Sequence, residues 1–337
     1  MTRHLETAPH VARRLRLARV LLVLLLALVT ARCVSRVAPP SPAPAPAPRP
    51  DHAVTLRVEV GTGLDREVRR LSLEEYVRGS VPAEMPIDTD DAVGGPLARL
   101  QAILARTYAL ANRGRHRSEG FDLCSSTHCQ VYVPAATQGA ALARVVADAV
   151  ADTRGVIITS GSGPIEALFH ADCGGHTSSA TAVWGGPAPD YLAGVPDAFC
   201  VTEARNHWRL VLGRDHLRRM LNTDTGTAVG GRLDDVSITH RDATGRATQI
   251  EIRGRERRLV RATRFRAVIT RQLGARAFRS TFFRVEISPD GFEFTGQGFG
   301  HGVGLCQTGA IVRARAGSTV EQILAHYYPG TWLERTD

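Results

Sequence analysis

Val54-Thr55-Leu56-Arg57-Val58-Glu59-Val60 alternates apolar and polar side chains, as a strand with one buried face does. Ser72 and Glu75 then form a capping-box pair that opens a short helix through Val77. Downstream, residues 96–112 place Leu97, Leu100, Leu104 and Tyr108 at helical spacing, and residues 137–152 read as a second long helix. Strand-like runs follow at 155–160, 165–170, 207–212, 236–239, 249–253 and 282–287, with helices at 262–273 and 319–327. Helices and strands come in mixed order without regular alternation. The expected fold class is therefore α+β, mixed sheets with packed helices, rather than a doubly wound sheet. The arginine-rich stretch 207–286 is expected to form a second lobe.

The composition supports a packed core. Of 337 residues, 43% are hydrophobic and 22% charged, which excludes bulk disorder. Glycine and proline, 32 and 18, are too few for a fibrous protein. The net charge is +9, and all 42 cations are arginine. They are spread along the chain instead of clustered, so they read as codon bias, and no nucleic-acid partner is expected.

Arg13, Arg14, Arg16 and Arg19 precede an apolar run from Val20 to Val29. That is a charged region followed by a hydrophobic one, shorter than the roughly 17–25 residues of a membrane span. Residues 1–31 are read as a signal peptide or a signal anchor, with Val29-Thr30-Ala31 offering small residues for cleavage. Cys33 suggests lipidation, but Arg32 stands where a small residue is needed. Residues 32–52 are a proline-rich linker, with seven prolines between 38 and 50 that would hold about 40 Å of extended chain. The working unit is thus 53–337. Export to the periplasm or cell envelope is expected, with membrane contact only through an uncleaved N-terminal segment.

Four segments carry chemistry. In Val81-Pro82-Ala83-Glu84-Met85-Pro86-Ile87 one carboxylate sits in an apolar heptad between prolines. Apolar surroundings raise its pKa, as a general acid at neutral pH requires, although a surface-loop glutamate fits the same residues. Cys124-Ser125-Ser126-Thr127-His128-Cys129, with His116 eight residues earlier, offers two thiols and two imidazoles. These suit a closed, structural tetrahedral Zn²⁺ site, while a Cys124–Cys129 disulfide is the alternative in an exported chain. The third segment, Phe169-His170-Ala171-Asp172-Cys173-Gly174-Gly175-His176, crowds polar groups at a glycine turn, and Cys200 downstream is paired with Cys173 as a candidate disulfide. The fourth, residues 296–309, has glycine at every second place from 296 to 304, with His301, Cys306 and Gln307 inside it. It matches neither a P-loop nor the dinucleotide fingerprint, so no organic cofactor is expected.

Together with Leu73-Glu74-Glu75-Tyr76 before the first segment, Gln101-Ala102-Ile103-Leu104-Ala105-Arg106-Thr107-Tyr108 and Pro189-Asp190-Tyr191-Leu192, these motifs resemble the SpoIID/LytB family in identity and order. The resemblance covers most of the chain from residue 53 to 328. It implies a peptidoglycan lytic transglycosylase that cuts between N-acetylmuramic acid and N-acetylglucosamine in glycan denuded of stem peptides, leaving a 1,6-anhydro end. The family's catalytic glutamate maps onto Glu84 and its active-site arginine onto Arg106. Tyr108, His170, Asp172, His301 and Gln307 are then expected to bind sugar. The resemblance also implies zinc, with His116, Cys124, His128 and Cys129 as ligands. One carboxyl group suffices for such a reaction, first as acid and then as base, because the attacking hydroxyl belongs to the substrate. Cys306 departs from the family pattern, which has serine there. Family members that modify amidases keep similar motifs, so a non-catalytic wall-binding module with an amidase partner is the alternative.

Overall fold

The computed structural model describes residues 54–61, 63–161, 163–202 and 207–336. The expectations for residues 1–31, 32–52 and Cys33 lie outside the described residues. Among the described residues no helix is long and apolar enough to cross a membrane.

Strand β1 (Thr55–Val60) buries Leu56, Val58 and Val60 on one face. It pairs antiparallel with β2 (Glu67–Ser72), Thr55 opposite Ser72 and Val60 opposite Glu67. Only Leu71 of β2 is buried, which is why its sequence carries no alternation. Helix α1 (Leu73–Glu84) starts at Ser72, whose Oγ accepts from the Glu75 amide at 3.3 Å. The expected end at Val77 is corrected: the helix continues to Glu84 with Pro82 inside it. Proline removes the amide that would bond the Arg78 carbonyl. Gln138 replaces it, its Nε2 donating to that carbonyl at 3.1 Å.

Helix α2 (Gly94–Ala111) lies between two cores. Ala98, Ala102, Ala105 and Ala109 recur at helical spacing and are fully buried with Leu56, Val58 and Tyr76. Leu97, Leu100, Ile103 and Leu104 belong to a second cluster with Ile158, Ile165 and Leu305. Tertiary burial on nearly every side, more than helix propensity, holds α2 in place. Strand β3 (Leu123–Cys124) joins β1 in parallel, and α3 (Ala140–Asp152) packs Val146, Ala149 and Val150 into the first core.

Strand β4 (Val156–Thr159) follows. The expected strand 165–170 shrinks to β5 (Phe169–His170), because Leu168 N bonds Glu166 O at 2.7 Å in a tight turn that breaks the extended run. After α4 (Ala180–Trp184) the chain enters the arginine-rich region. Its elements are β6 (His207–Leu212), α5 (Arg214–Leu221), β7 (Leu233–Arg241), β8 (Ala247–Gly254), β9 (Arg257–Arg261), α6 (Ala262–Leu273), β10 (Phe283–Ser288) and β11 (Gly291–Gln297). They form two antiparallel three-stranded sheets, β10-β11-β6 and β7-β8-β9. Between the sheets and helices is a separate core in which the Phe278 ring meets Trp208, Phe283 and Phe294 with centroids 4.9–5.2 Å apart. The arginines lie mostly outside this core, in exposed pairs such as Arg209 with Glu293.

The chain then returns. β12 (Leu305–Cys306) pairs in parallel with β5, and β13 (Trp332–Arg335) antiparallel with β4. Helices α7 (Gln307–Arg315) and α8 (Val320–Tyr327) lie between these two strands in sequence. The 207–297 region is thus inserted between two paired strands. The architecture is α+β, with eight helices and five small sheets among the described residues.

Candidate functional site

Glu84 is the last residue of α1 and is half-buried. Its Oε1 accepts the Val131 amide at 2.5 Å. Burial raises the carboxyl pKa above the ordinary glutamate value, and the Val131 amide opposes that shift. The Glu84 main chain is held from across the fold, since Gln307 Nε2 at the start of α7 donates to its carbonyl at 2.8 Å. A groove of about 740 Å³ flanks this junction, lined by Pro86, Ile87, Asp88, Leu97, Thr308 and Arg315 among others. Arg315 closes one rim through Asp91, at 2.9 Å. Glu84 does not itself line the groove.

Arg106 does not join Glu84. It is fully buried on α2, with Nε and Nη2 gripping the two Glu74 oxygens at 2.8 and 2.7 Å. Its Nη1 donates to the carbonyls of Val156 and Ala102 at 3.1 and 3.4 Å. The guanidinium therefore locks α1 to α2 and to β4.

The four expected metal ligands come together. Cys129 Sγ lies 3.3 Å from His116 Nε2 and 3.7 Å from His128 Nδ1, and Cys124 Sγ lies 3.8 Å from His128 Nδ1. All four donor atoms fall within 4.8 Å of one another. Sulfur and nitrogen bound tetrahedrally to zinc, at about 2.3 and 2.0–2.1 Å, stand about 3.6 Å apart, so the residues fit. The far nitrogen of His116, Nδ1, meets Glu119 Oε1 at 2.5 Å, a carboxylate behind a ligand imidazole, and the ring stacks on Phe121 at 4.6 Å. The alternative Cys124–Cys129 disulfide is absent, both cysteines being free thiols. This cluster neighbours Tyr108, whose phenol is pushed up to about 12 by burial and then by the Cys129 thiol.

Most of the expected sugar-binding side chains turn inward. Tyr108, His170 and Asp172 are buried. His170 Nδ1 meets the Val303 carbonyl at 3.1 Å, and Asp172 Oδ1 accepts the Gly174 amide at 2.9 Å. Gln307 is buried and spends its amide on Glu84. In this structure the polar groups of His170, Asp172 and Gln307 serve the turn and the junction. His301 alone stays partly exposed, beside the exposed Trp184 ring at 5.3 Å. Burial, then Arg266 and Arg246, lowers its pKa to about 4, so it is neutral at pH 7. Around it Gly298, Gly300, Gly302 and Gly304 all have positive φ, which explains glycine at alternate positions.

The expected Cys173–Cys200 disulfide is also absent, and both are free buried thiols. Instead they converge with Cys306 and Asp197, and this four-residue cluster was not expected. Each thiol was visible in the sequence, but their convergence depends on the return of the chain after the 207–297 insertion.

A family model described as stage II sporulation protein matches residues 63–160, and a second, a domain of unknown function, matches residues 200–304. An uncharacterized protein of Brachyspira hyodysenteriae is 32% identical over 266 residues, 78% of this chain and 67% of that protein. Stage II sporulation protein D of Bacillus subtilis is 29% identical over 286 residues, 81% of this chain and 77% of its own length. The amidase enhancer of Bacillus subtilis is 25% identical over 302 residues, 76% of this chain and 40% of its own length. The motifs, the α+β fold and these similarities agree: the chain belongs to the SpoIID/LytB family.

Proposed function

We propose that this protein acts on the cell wall as an exported peptidoglycan lytic transglycosylase, with Glu84 as its single acid and base. The observation that carries this reading is the Glu84 carboxyl itself. It is half-buried, has a raised pKa, and is fixed at side chain and main chain by Val131 and Gln307. A carboxyl group whose burial favours the protonated form can donate to the glycosidic oxygen as the bond to N-acetylglucosamine breaks. The resulting carboxylate then takes the proton of the muramic 6-hydroxyl as that oxygen closes on C1. The glutamate ends as it began, and no water enters.

Arg106 acts in this reading as a positioning residue, since its fork reaches Glu74 on the same helix that ends in Glu84. The groove beside Glu84 takes the glycan strand, and Trp184 beside His301 offers an aromatic face for a sugar. His116, Cys124, His128 and Cys129 hold a structural zinc ion, which when bound supplies cross-linking of the 116–129 loop and takes no part in the reaction.

The test is digestion of purified denuded glycan, with products read by mass spectrometry. Anhydro-muramic ends are expected from the wild type, with a loss of about 10²-fold or more in Glu84→Gln. Reducing ends would identify a hydrolase and end this reading. The name of one relative, an amidase enhancer, favours a second reading, a wall-binding module that stimulates a separate amidase. That reading expects Glu84→Gln to stimulate the amidase as the wild type does.

A further inference from the structure

Cys173 follows β5, Asp197 and Cys200 lie in the loop after α4, and Cys306 caps α7. All four are buried, and their donor atoms lie within 4.8 Å of one another. Cys306 Sγ and Cys200 Sγ are 3.5 Å apart. Two sulfurs on a tetrahedral zinc ion, at about 2.3 Å each, stand about 3.8 Å apart, whereas a disulfide would unite two sulfurs and leave the third thiol and the carboxylate unused.

The surroundings are built for negative sulfur. Cys306 Sγ receives the amides of Cys173 and Gly309 at 3.2 and 3.4 Å, and Cys173 Sγ receives that of Gly175 at 3.4 Å. Asp197 is steadied by the Tyr327 hydroxyl at 2.6 Å and by Arg313 at 3.4 Å. Such outer bonds orient ligands and tune them. A side chain at Gly309 would strike Asp197 and Tyr327, so glycine there lets α7 approach the cluster. Nearby, Arg246 is fully buried and donates to the Cys173 carbonyl, while its Nε and Nη1 have no hydrogen-bond partner. Three thiolates and a carboxylate around a divalent ion leave a doubly negative site, beside which Arg246 and Arg313 stand as cations, while the Asp172 carboxyl, 3.2 Å from Cys200 Sγ, adds to the acidic side.

We propose that Cys173, Asp197, Cys200 and Cys306 form a second, closed tetrahedral site for a thiophilic divalent cation of the zinc class. On binding, the three thiol protons pass to solvent and nothing is oxidised or reduced. The ion ties the turn after β5 and the loop after α4 to the residue preceding Gln307, and so fixes the element that grips Glu84. The inference is independent of whether Glu84 is catalytic.

Native mass spectrometry of the full wild-type chain, produced with zinc and without oxidant, is expected to show two zinc ions per molecule. No zinc overturns the proposal, and so does a single ion that Cys306→Ser retains. The double variant Cys124→Ser/Cys129→Ser removes both thiols of the first site. Loaded anaerobically with Co²⁺, it is expected to keep a strong thiolate-to-cobalt absorption, and Cys306→Ser in that background is expected to weaken it. A double variant without this absorption, or a peptide map of the wild type showing a disulfide between any two of Cys173, Cys200 and Cys306, overturns the proposal. If the variants fail to fold, the zinc count of the wild type decides.

Discussion

Gln307 Nε2 donates to the main-chain carbonyl of Glu84 at 2.8 Å, joining the first turn of α7 to the last residue of α1 across 223 positions of sequence. The bond spans the two segments that the family motifs carry at opposite ends of the chain. Val131 holds the carboxylate and Gln307 holds the backbone behind it, so two separate elements aim one side chain.

Gln307→Ala is expected to lower stability by about 1 kcal/mol, the net worth of one buried hydrogen bond. Because Gln307 faces Glu84 and not the groove, the proposed glycan cleavage should lose kcat with KM little changed. Urea unfolding and steady-state kinetics check the two halves separately. A rise in KM alone would return Gln307 to the sugar-binding role that its burial argues against.

Glu84 makes stability depend on pH. Burial raises its folded pKa, so the folded chain binds this proton more tightly than the unfolded chain does. Its contribution is full below the unfolded value, about 4.3, and is lost as pH rises through the folded value. Glu84→Gln keeps an oxygen for the Val131 amide and never ionises. It is expected to melt higher than wild type at neutral pH and to lose that advantage below the unfolded pKa. Thermal melts at both conditions read the difference, and a constant offset would show that the carboxylate is not disfavoured by its surroundings.

Arg106 answers to a different measurement. It is a buried cation with four described hydrogen bonds, two of them to Glu74. Arg106→Ala strips Glu74 of its partner and is expected to cost about 3–5 kcal/mol. Arg106→Lys should recover only part of this, because an ammonium cannot reproduce the two-pronged grip and also reach the Val156 carbonyl. Chemical denaturation of both variants is the check. A catalytic arginine at the surface would instead leave stability nearly unchanged.

The long elements were legible from periodicity, because β1 and α3 each bury one regular set of positions and α2 buries two, one toward each core. The end of α1 was not, because Pro82 normally stops a helix and the side chain that compensates, Gln138, lies far along the chain. Strand β2 escaped notice because only Leu71 is buried, and α5 because arginines surround its buried Leu217, Met220 and Leu221. The first ligand cluster was visible because its donors fall within fourteen residues of sequence, between His116 and Cys129. The partners of Arg106 and Cys306 were not, since each is set by the packing of distant segments.

Glu119 gives the sharpest check on the first cluster, because it touches a ligand without being one. Its carboxylate holds His116 Nδ1 and so leaves Nε2 facing Cys129. Glu119 is itself 56% exposed at the side chain, so its replacement should leave the metal-free fold almost untouched. Glu119→Gln is expected to weaken zinc binding by about 10–100-fold through loss of orientation and basicity at the imidazole. His116→Ala, which removes a ligand, should weaken it further. Competition against a chromophoric chelator measures both, with the Cys173 cluster as an internal reference whose affinity should not move. Unchanged affinity in both Glu119→Gln and His116→Ala would mean that His116 does not bind the ion.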